Sequence, residues 1–372
     1  MDAVDVVVVG GGPAGSVCAG RLRGAGVDVV VLDRARFPRT KPCGGWVTPP
    51  IFERLGLAPD AYAQGRTLQA FSAFRTGRIG GPALVTDYGE PVSFGILRSE
   101  FDHFLLERAG VPLRSGSPVA SLRREGGGWI LDERIRAKVV VGAGGHFCPV
   151  ARLLNEGSSE GSLVVAQEVE FRLDAAHRSG CRVAPEVPEL YFCSDLRGYG
   201  WCVRKGDYLN VGLGRRDPQG LTTHVREFVA FLGRAGRVSS ALPSRWLGHA
   251  YWLYESPLRR VVGDGLLLVG DAAGLAVPSS GEGIRPAVES GLLAADVLLA
   301  AGGRSTRSDL EPYGDALKAR FGPPRRRLDL SPRLARPLGR LLLGDRWFTR
   351  HFVLDRWFLQ RTLAEATVRR AA

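Results

Sequence analysis

The sequence lacks any apolar run of the roughly 18–20 residues that a membrane-spanning helix requires. Its six cysteines form no CxxC pair and show no metal-ligand spacing, so we predict reduced thiols and no metal site. The start carries Asp2 and Asp5 where a signal peptide would place basic residues ahead of an apolar stretch. We therefore expect a cytoplasmic protein, and its 372 residues are enough for two lobes.

Lysine is also scarce, because only four of the 50 basic residues are Lys. The net charge of +12 is concentrated in residues 320–372, which contain 13 Arg and only four acidic residues. No element typical of nucleic-acid recognition accompanies this charge, so we expect no nucleic-acid partner. Large apolar residues alternate with these arginines. The segment is interpreted as an amphipathic helix on a peripheral membrane surface, as a helix packed on its own domain, or as a docking surface for a protein.

The N-terminal residues predict a strand, a glycine-rich turn, a helix and a second strand that ends at Asp33. Gly10 permits the tight turn, Gly12 lets the backbone approach a pyrophosphate, and Gly15 lets the helix pack on the strand. Asp33 is placed to accept a hydrogen bond from a ribose hydroxyl. The alternative is a plain βαβ turn. The predicted dinucleotide-binding residues are Gly10, Gly12, Pro13, Ala14, Gly15, Asp33 and Arg34.

A second glycine-rich helix start follows the predicted strand 265–269. A simple NAD domain needs one such start, whereas FAD carries a ring system that needs its own anchor. Asp271 would accept from the ribityl chain or ribose, and the N–H groups near Gly283 and Ile284 would face the N1/O2 edge of the flavin. Residues 139–145 form another buried strand that runs into glycines. The FAD-binding residues predicted here are Ala143, Gly144, Gly270, Asp271, Pro278, Gly281, Gly283 and Ile284.

Residues 34–45 contain prolines and glycines that forbid regular structure, so they form a loop at the carboxyl end of the sheet. Cys43 in this loop is interpreted as a proton donor or redox sensor, or as a small packing residue. Arg98 precedes a helix that we predict to begin at an N-cap Ser99 with Asp102 three residues on. The Arg98 side chain would reach a phosphate or the flavin edge, or lie exposed. Cys43, Gly44 and Arg98 are therefore further predicted cofactor contacts.

Two strand-rich regions, 66–97 and 160–255, predict an antiparallel sheet over the substrate. Tyr199 and Trp201 would share one face of a strand, either as core or as a cofactor wall. The predicted fold class is α/β, or α+β overall. It comprises a Rossmann-like FAD-binding domain (1–70, 95–155 and 258–305), an antiparallel-sheet substrate domain (71–94 and 156–257) and a basic helical C-terminal segment (306–372).

The order of these motifs resembles that in geranylgeranyl reductase-like flavoproteins, within the superfamily of aromatic hydroxylases and flavin-dependent halogenases. The resemblance covers residues 4–300 and rests on 6–33, 41–45, 98–102, 199–201 and 270–290. It implies bound FAD, a hydrophobic substrate channel roofed by a sheet, and reduction of isolated C=C bonds in isoprenoid chains.

The sequence departs from the family pattern at two places. Val203-Arg204-Lys205 stands where the reductases usually carry Phe-Pro-Lys, which leaves the substrate open. Gly144-Gly145 replaces the Asp-Gly pair of the hydroxylases, which weakens the interpretation as an NADPH-driven hydroxylase. The electron donor therefore stays open between NAD(P)H and a ferredoxin-type protein.

These motifs are compatible with three functions. The first is a reductase of C=C bonds in an isoprenoid or other hydrophobic substrate. Flavin N5 gives the hydride, Cys43 or Tyr199 gives the proton, and Trp201 joins them as a catalytic residue. The second is a flavin-dependent monooxygenase or halogenase on an aromatic substrate. The third is a flavoprotein that modifies a partner protein.

Overall fold

The computed structural model describes residues 1–157, 161–238, 242–255, 258–324 and 332–361, with only the main chain at 332–336. Parts of the predicted C-terminal segment, 325–331 and 362–372, lie outside the described residues. The chain divides into two compact units. The first comprises Met1–Lys41, Arg98–Leu163 and Tyr251–Arg327, and the second comprises Pro42–Leu97, Val164–Ala250 and Leu328–Ala372.

Strands and helices are numbered separately in chain order. The strands are β1 (Asp2–Val9), β2 (Val29–Asp33), β3 (Trp46–Val47), β4 (Leu68–Phe71), β5 (Ala73–Arg78), β6 (Ala83–Asp87), β7 (Ser93–Ile96), β8 (Leu113–Ser115), β9 (Leu122–Glu125), β10 (Gly128–Leu131), β11 (Ile135–Gly142), β12 (Leu163–Arg172), β13 (Glu189–Phe192), β14 (Gly198–Lys205), β15 (Tyr208–Arg215), β16 (Leu247–Trp252), β17 (Val262–Gly263) and β18 (Leu266–Leu268). The helices are α1 (Pro13–Gly24), α2 (Pro50–Leu55), α3 (Pro59–Ala63), α4 (Arg98–Ala109), α5 (Pro149–Leu154), α6 (Ala175–Ser179), α7 (Leu221–Arg234), α8 (Ile284–Ala301), α9 (Arg307–Leu310), α10 (Pro312–Phe321), α11 (Pro332–Leu342) and α12 (Arg346–Phe348). Short 3₁₀ turns cover Gly145–Phe147 and Gly270–Ala273, and a π-helix covers Thr349–Phe358.

The first unit is built on a sheet with the order β17-β18-β11-β1-β2-β8. Its centre is parallel, since β1 pairs in parallel with both β2 and β11, and β11 pairs in parallel with β18. Val7, Val8 and Val31 are fully buried in this centre. β-Branched residues suit strands that are covered on both faces. The predicted α/β fold with a Rossmann-like sheet is therefore confirmed.

The second unit contains a seven-stranded sheet with the order β16-β12-β15-β14-β13-β5-β6. Its pairings are antiparallel from β12 to β13, and β13 pairs in parallel with β5. Successive side chains alternate between two clusters. Cys202 packs against α7 on one face, while Tyr199 and Trp201 face the other. Helix α7 lies within the region 160–255 that was predicted to be strand-rich, and no sequence pattern was assigned to it. Helix α7 packs closely on β14, because an added Cβ at Gly200 of β14 would lie 2.6 Å from the Phe228 ring of α7.

The described C-terminal residues of the second unit are helical, as predicted. Phe358 of the π-helix packs on Tyr199 with ring centroids 5.3 Å apart, and the Tyr88 hydroxyl donates to Asp355 at 2.8 Å. Among the helices of the described ranges, none is both long and apolar enough to cross a bilayer.

The predicted domain boundaries stay a prediction. Residues 42–70 fall in the second unit and 306–324 in the first.

Candidate functional site

The first glycine turn is a close-packed junction in which two glycines are sterically required. A Cβ added at Gly15 would lie 1.9 Å from the Gly10 carbonyl oxygen, and one added at Gly10 would lie 2.4 Å from the Ala143 oxygen. Gly10 also has a φ of 116°. Gly12 differs, because its Cβ position has only one described neighbour within 4 Å, the Arg39 Nη2 atom at 3.4 Å. The Gly12 backbone is therefore open to a ligand and faces a guanidinium.

Asp33 links the end of β2 to this turn. Its carboxylate is buried and accepts the backbone N–H groups of Gly11 and Ala35, both at 2.8 Å. Each carboxylate oxygen has a second lone pair, so a ribose hydroxyl can still donate to it. Arg34, the next residue, is exposed.

A buried charge cluster lies beside the turn. Arg98 is 4% exposed and donates two hydrogen bonds of 2.7 Å to Asp102, which is fully buried. Arg39 Nη2 approaches the same carboxylate at 3.2 Å. Arg98 and Arg39 therefore share the Asp102 carboxylate, and the positively charged Arg39 guanidinium lies close to Gly12. An anionic pyrophosphate would balance this charge.

This cluster corrects one prediction and adds a residue. The predicted N-cap at Ser99 is wrong, since α4 begins at Arg98, and the Asp102 carboxylate accepts from the Arg98 side chain. Sequence reasoning missed Arg39, because no local pattern in the loop indicates that it reaches Gly12.

The second helix start lies next to the first. An added Cβ at Gly270 would lie 3.2 Å from the Ala14 Cβ, and one at Gly291 of α8 would lie 2.3 Å from the Ala14 oxygen. Helices α1 and α8 therefore pack through small residues. Asp271 follows Gly270, forms an ion pair with Lys41 at 3.3 Å, and lies 3.1 Å from the Cβ position of Gly283. The first unit thus brings its two glycine-lined helix starts together.

The remaining predicted residues lie around these two starts. Ala143 directly follows β11 and donates its N–H to the Val9 oxygen at 2.8 Å. Gly281 has a φ of 72° and Ile284 is the buried first residue of α8. The N-caps of α1 and α8 are Gly12 and Gly283, and within the described ranges no side chain caps either helix. The N-terminal N–H groups of α1 and its positive dipole end can therefore serve an anion. The other predicted contacts, whose roles stay predictions, are Pro13, Gly144 and Pro278.

Cys43 and Gly44, by contrast, belong to the second unit. The Cys43 thiol is half-buried, and the Gly45 N–H points at its Sγ atom at 3.4 Å. A Cβ added at Gly44 would lie 3.5 Å from Trp201 Nε1, so the loop lies against the indole. Tyr199 is adjacent, with its ring centroid 6.1 Å from that of Trp201. The second unit therefore assembles the three residues predicted to be catalytic.

Sequence reasoning also missed three polar residues beneath this loop. Asn210 accepts the Trp201 indole N–H at 2.6 Å, and Lys205 donates to the Gly44 oxygen at 3.1 Å. Glu168 is 3% exposed and lies beside them. The alternation of polar residues on β12 is only a weak signal for a functional residue, because such a pattern ordinarily indicates a strand face exposed to solvent.

Four of the other cysteines, Cys18, Cys148, Cys193 and Cys202, are buried. Burial raises the pKa of the Cys18 thiol to about 12, and it also raises the pKa values of Cys148, Cys193 and Cys202. These thiols are unreactive in the folded protein. In the part of the chain that the structure describes, no cluster of His, Cys, Asp and Glu is arranged to hold a metal ion.

The parallel sheet, the paired glycine-lined helix starts and the guanidinium beside Gly12 define a dinucleotide-binding flavoprotein. The sequence matches the FAD binding domain family over residues 3–320. The protein belongs to that family and is a FAD-dependent oxidoreductase of the geranylgeranyl reductase-like group.

Two relatives cover most of the chain. The digeranylgeranylglycerophospholipid reductase of Methanocaldococcus jannaschii is 28% identical over 314 residues, which are 80% of this chain and 77% of the relative. The menaquinone reductase of Mycobacterium tuberculosis is 30% identical over 335 residues, with the same two coverages of 80% and 77%.

Solved structures share the fold. A geranylgeranyl bacteriochlorophyll reductase-like protein from Thermoplasma acidophilum has a TM-score of 0.73 and 20% identity, and covers 99% of this chain and 96% of its own. A flavin-dependent brominase has a TM-score of 0.68 and 19% identity, with coverages of 99% and 98%.

Proposed function

We propose that the protein reduces C=C bonds in the isoprenoid chain of a hydrophobic substrate. The relatives named above are reductases, and the name of the archaeal relative refers to a digeranylgeranylglycerophospholipid. The observation that carries the proposal is in the second unit. A half-buried thiol, Cys43, lies on a loop packed against Trp201, whose ring continues into a cluster with Tyr199, Phe192 and Phe358.

The residues of the first unit would hold FAD, with Gly12 and Arg39 at the pyrophosphate, Asp33 at the ribose, and the start of α8 at the flavin ring. When bound and reduced, FAD supplies a hydride from N5. An external reductant must regenerate the reduced form, either NAD(P)H in one two-electron step or a ferredoxin-type protein in two one-electron steps. The residues of the protein exclude water from the substrate and supply the proton.

The proton comes from Cys43 in this proposal, and Tyr199 is the alternative donor. The alkene π bond breaks as one carbon receives the hydride and the other receives the thiol proton, and the thiolate is then reprotonated from water. An unactivated alkene is a poor base, so the proton source must be positioned before the reaction begins. The aromatic rings bind the chain and keep the site dry.

The test is anaerobic incubation of the reduced protein with a geranylgeranylated glycerophospholipid or with menaquinone, followed by mass spectrometry. A product that gains two hydrogen atoms in its prenyl chain, as located by fragmentation, supports the proposal, whereas two hydrogen atoms gained on the quinone ring do not. A product that gains oxygen or halogen in air supports the monooxygenase or halogenase alternative instead. Cys43→Ser should retain FAD and slow alkene reduction about 100-fold, the lower range for a lost general acid. Cys181→Ser is the matched control, since Cys181 is the other half-buried thiol. Unchanged turnover in Cys43→Ser would remove Cys43 from this role.

We also propose that the C-terminal helices touch the membrane in which such a substrate resides. Leu341 of α11 is 72% exposed and Trp347 of α12 is 62% exposed, with Arg340 and Arg346 beside them. Apolar anchors flanked by arginines suit an anionic bilayer surface. Cosedimentation with vesicles of phosphatidylglycerol should fall when Leu341 and Trp347 are replaced by Ser. Equal binding of the wild type to phosphatidylcholine vesicles would contradict the role of the arginines.

A further inference from the structure

The loop that carries Cys43 is supported by a buried polar cluster on three neighbouring strands of the second unit. Glu168 and Glu170 lie on β12, Asn210 on β15, and Lys205 on β14. Glu170 is the register partner of Asn210 across β12 and β15. Positions two apart on a strand point to the same face, so the two carboxylates of β12 are neighbours.

The cluster holds the main chain of the loop through several hydrogen bonds. The Cys43 backbone N–H faces the Glu168 carboxylate and favours its charged form, and Asn210 Nδ2 donates to the Cys43 oxygen at 3.2 Å. Lys205 Nζ donates to the Gly44 oxygen at 3.1 Å. The backbone groups on both sides of the Cys43 Cα are therefore held by this cluster, and the Sγ atom accepts the Gly45 N–H at 3.4 Å.

A glycine in β15, Gly212, leaves the room that the Trp201 ring occupies beside this cluster. A Cβ added at Gly212 would lie 2.3 Å from the Trp201 ring and 2.8 Å from the Glu168 Cβ. The indole therefore crosses directly over Gly212 beside Glu168. Its N–H group donates to Asn210, which donates in turn to Glu168 at 3.4 Å and to Glu170 at 3.1 Å. The side-chain amide of Asn210 therefore bonds both to the Trp201 indole and to the loop that carries Cys43.

The cluster carries one more acid than base. Lys205 is fully buried and pairs with Glu170 at 2.8 Å, so one carboxylate is balanced. Glu168 is the surplus acid. Among the described residues, the charged or titratable groups that face it are Lys205 of β14, Glu170 of its own strand, and Cys43 of the loop.

A carboxylate without a full counter-charge is costly to bury, and the usual outcome is that it takes up a proton. Burial, reinforced by Glu170, raises the pKa of Glu168 to about 7 against the opposing effect of Lys205. The geometry therefore places an ionisable group, which changes charge near neutral pH, directly behind the Cys43 backbone.

We infer that Glu168 is a positioning residue whose charge state controls the reactivity of the Cys43 thiol. An ionised Glu168 holds the Cys43 N–H more tightly and opposes negative charge on the nearby sulfur. A neutral Glu168 relaxes both constraints. The role of Cys43 as the proton source for alkene reduction rests on the proposed function. The control of the Cys43 thiol by Glu168, in contrast, can be measured without any substrate.

The test is the alkylation rate of Cys43 by iodoacetamide in the FAD-bound full-length protein, followed across pH by peptide mass spectrometry. In the wild type the rate should lag behind a simple thiol curve above neutral pH, where Glu168 ionises. Glu168→Gln keeps an oxygen for the Cys43 N–H and removes the charge. It should alkylate faster than the wild type near pH 8, where Glu168 of the wild type is ionised.

Two controls make the experiment specific. Cys181, the other half-buried thiol, reports in the same digest and should be unchanged. Glu170→Gln removes the neighbouring repulsion and leaves Lys205 to Glu168, so the lag should persist and move to lower pH. It also provides a second variant if Glu168→Gln does not fold.

Identical Cys43 profiles in the wild type and Glu168→Gln would overturn the inference, as would an equal acceleration at Cys181. Failure of every prenyl substrate to be reduced would instead refute the proposed function and leave the alkylation result to stand on its own. In the active protein, Glu168→Gln should shift the pH profile of kcat with little change in KM, whereas a loss of substrate packing would change KM first.

Discussion

Gly12 and Gly15 lie three residues apart in the same turn, yet we expect their replacement by Ala to differ in its effect on the stability of the apoprotein. At Gly15 the new Cβ would be 1.9 Å from the Gly10 oxygen, so the backbone must move by about 1 Å to reach a normal contact. Overpacking of this kind typically costs about 1–3 kcal/mol. At Gly12 the new Cβ meets only the tip of Arg39 at 3.4 Å within the described residues, and the backbone φ of −77° suits any residue.

Gly12→Ala should therefore change the free energy of unfolding of the apoprotein by no more than about 1 kcal/mol. It should nevertheless weaken FAD binding at least about tenfold, or 1.4 kcal/mol, because the methyl group occupies the place where the backbone approaches the pyrophosphate. Gly12→Val should abolish binding. Gly15→Ala should lower both the stability of the apoprotein and its affinity for FAD.

The assay is denaturant unfolding of the apoproteins together with titration by FAD, followed through quenching of flavin fluorescence. Gly24→Ala is a control at the end of α1, where an added Cβ has no described neighbour within 4 Å. A Gly12→Ala protein that binds FAD as the wild type does would refute the placement of the pyrophosphate. A Gly15→Ala apoprotein of undiminished stability would refute the steric reasoning.

Two further predictions concern charge. Arg39→Met should weaken FAD binding about tenfold and reduce its salt dependence, because the Arg98–Asp102 pair remains but the cation facing Gly12 is lost; an unchanged salt dependence would contradict this. Burial raises the pKa of Glu168 to about 7, above its ordinary value of 4.5, so the folded state binds this proton more tightly than the unfolded state. The resulting stabilisation is complete below pH 4.5 and is lost as the pH rises through 7, by about 3 kcal/mol. Urea unfolding of the wild type and Glu168→Gln across this range should show the difference, and parallel pH profiles would contradict it.

Local sterics made the first glycine turn predictable. Gly10 and Gly15 are required by contacts within their own βαβ unit or with the neighbouring strand, and Asp33 ends a strand whose length is visible in the β-branched run. The end of α8 follows the same local rule, because Gly302 adopts the left-handed conformation that stops a helix there. In each case the residue type and the conformation it permits are linked within a few positions of the chain.

The charge clusters were not predictable for the complementary reason. Arg39 acquires its meaning from Gly12 and Asp102, which lie 27 residues before it and 63 after it in the sequence. Ser99 resembles an N-cap when only its neighbours in sequence are considered. Glu168 and Glu170 alternate on β12 in a pattern typical of a solvent-facing side, and only the sheet order shows that Lys205 is there to meet them.

At residues 203–205, where the reductases usually carry Phe-Pro-Lys, this chain keeps the lysine and replaces the other two residues. Lys205, which this chain shares with the reductase pattern, is fully buried and fastens the Gly44 and Ile96 carbonyl groups, so its role concerns the thiol loop. Arg204 donates to the Gly206 oxygen at an exposed turn, and Val203 packs into the sheet. The replaced residues therefore make none of the bonds that hold Cys43. The contacts to the Cys43–Gly44 backbone described above are made by Glu168, Lys205 and Asn210. None of these residues is altered by the departure from Phe-Pro-Lys. The substitution is therefore compatible with a change in substrate shape but not with a loss of the contacts that position the thiol.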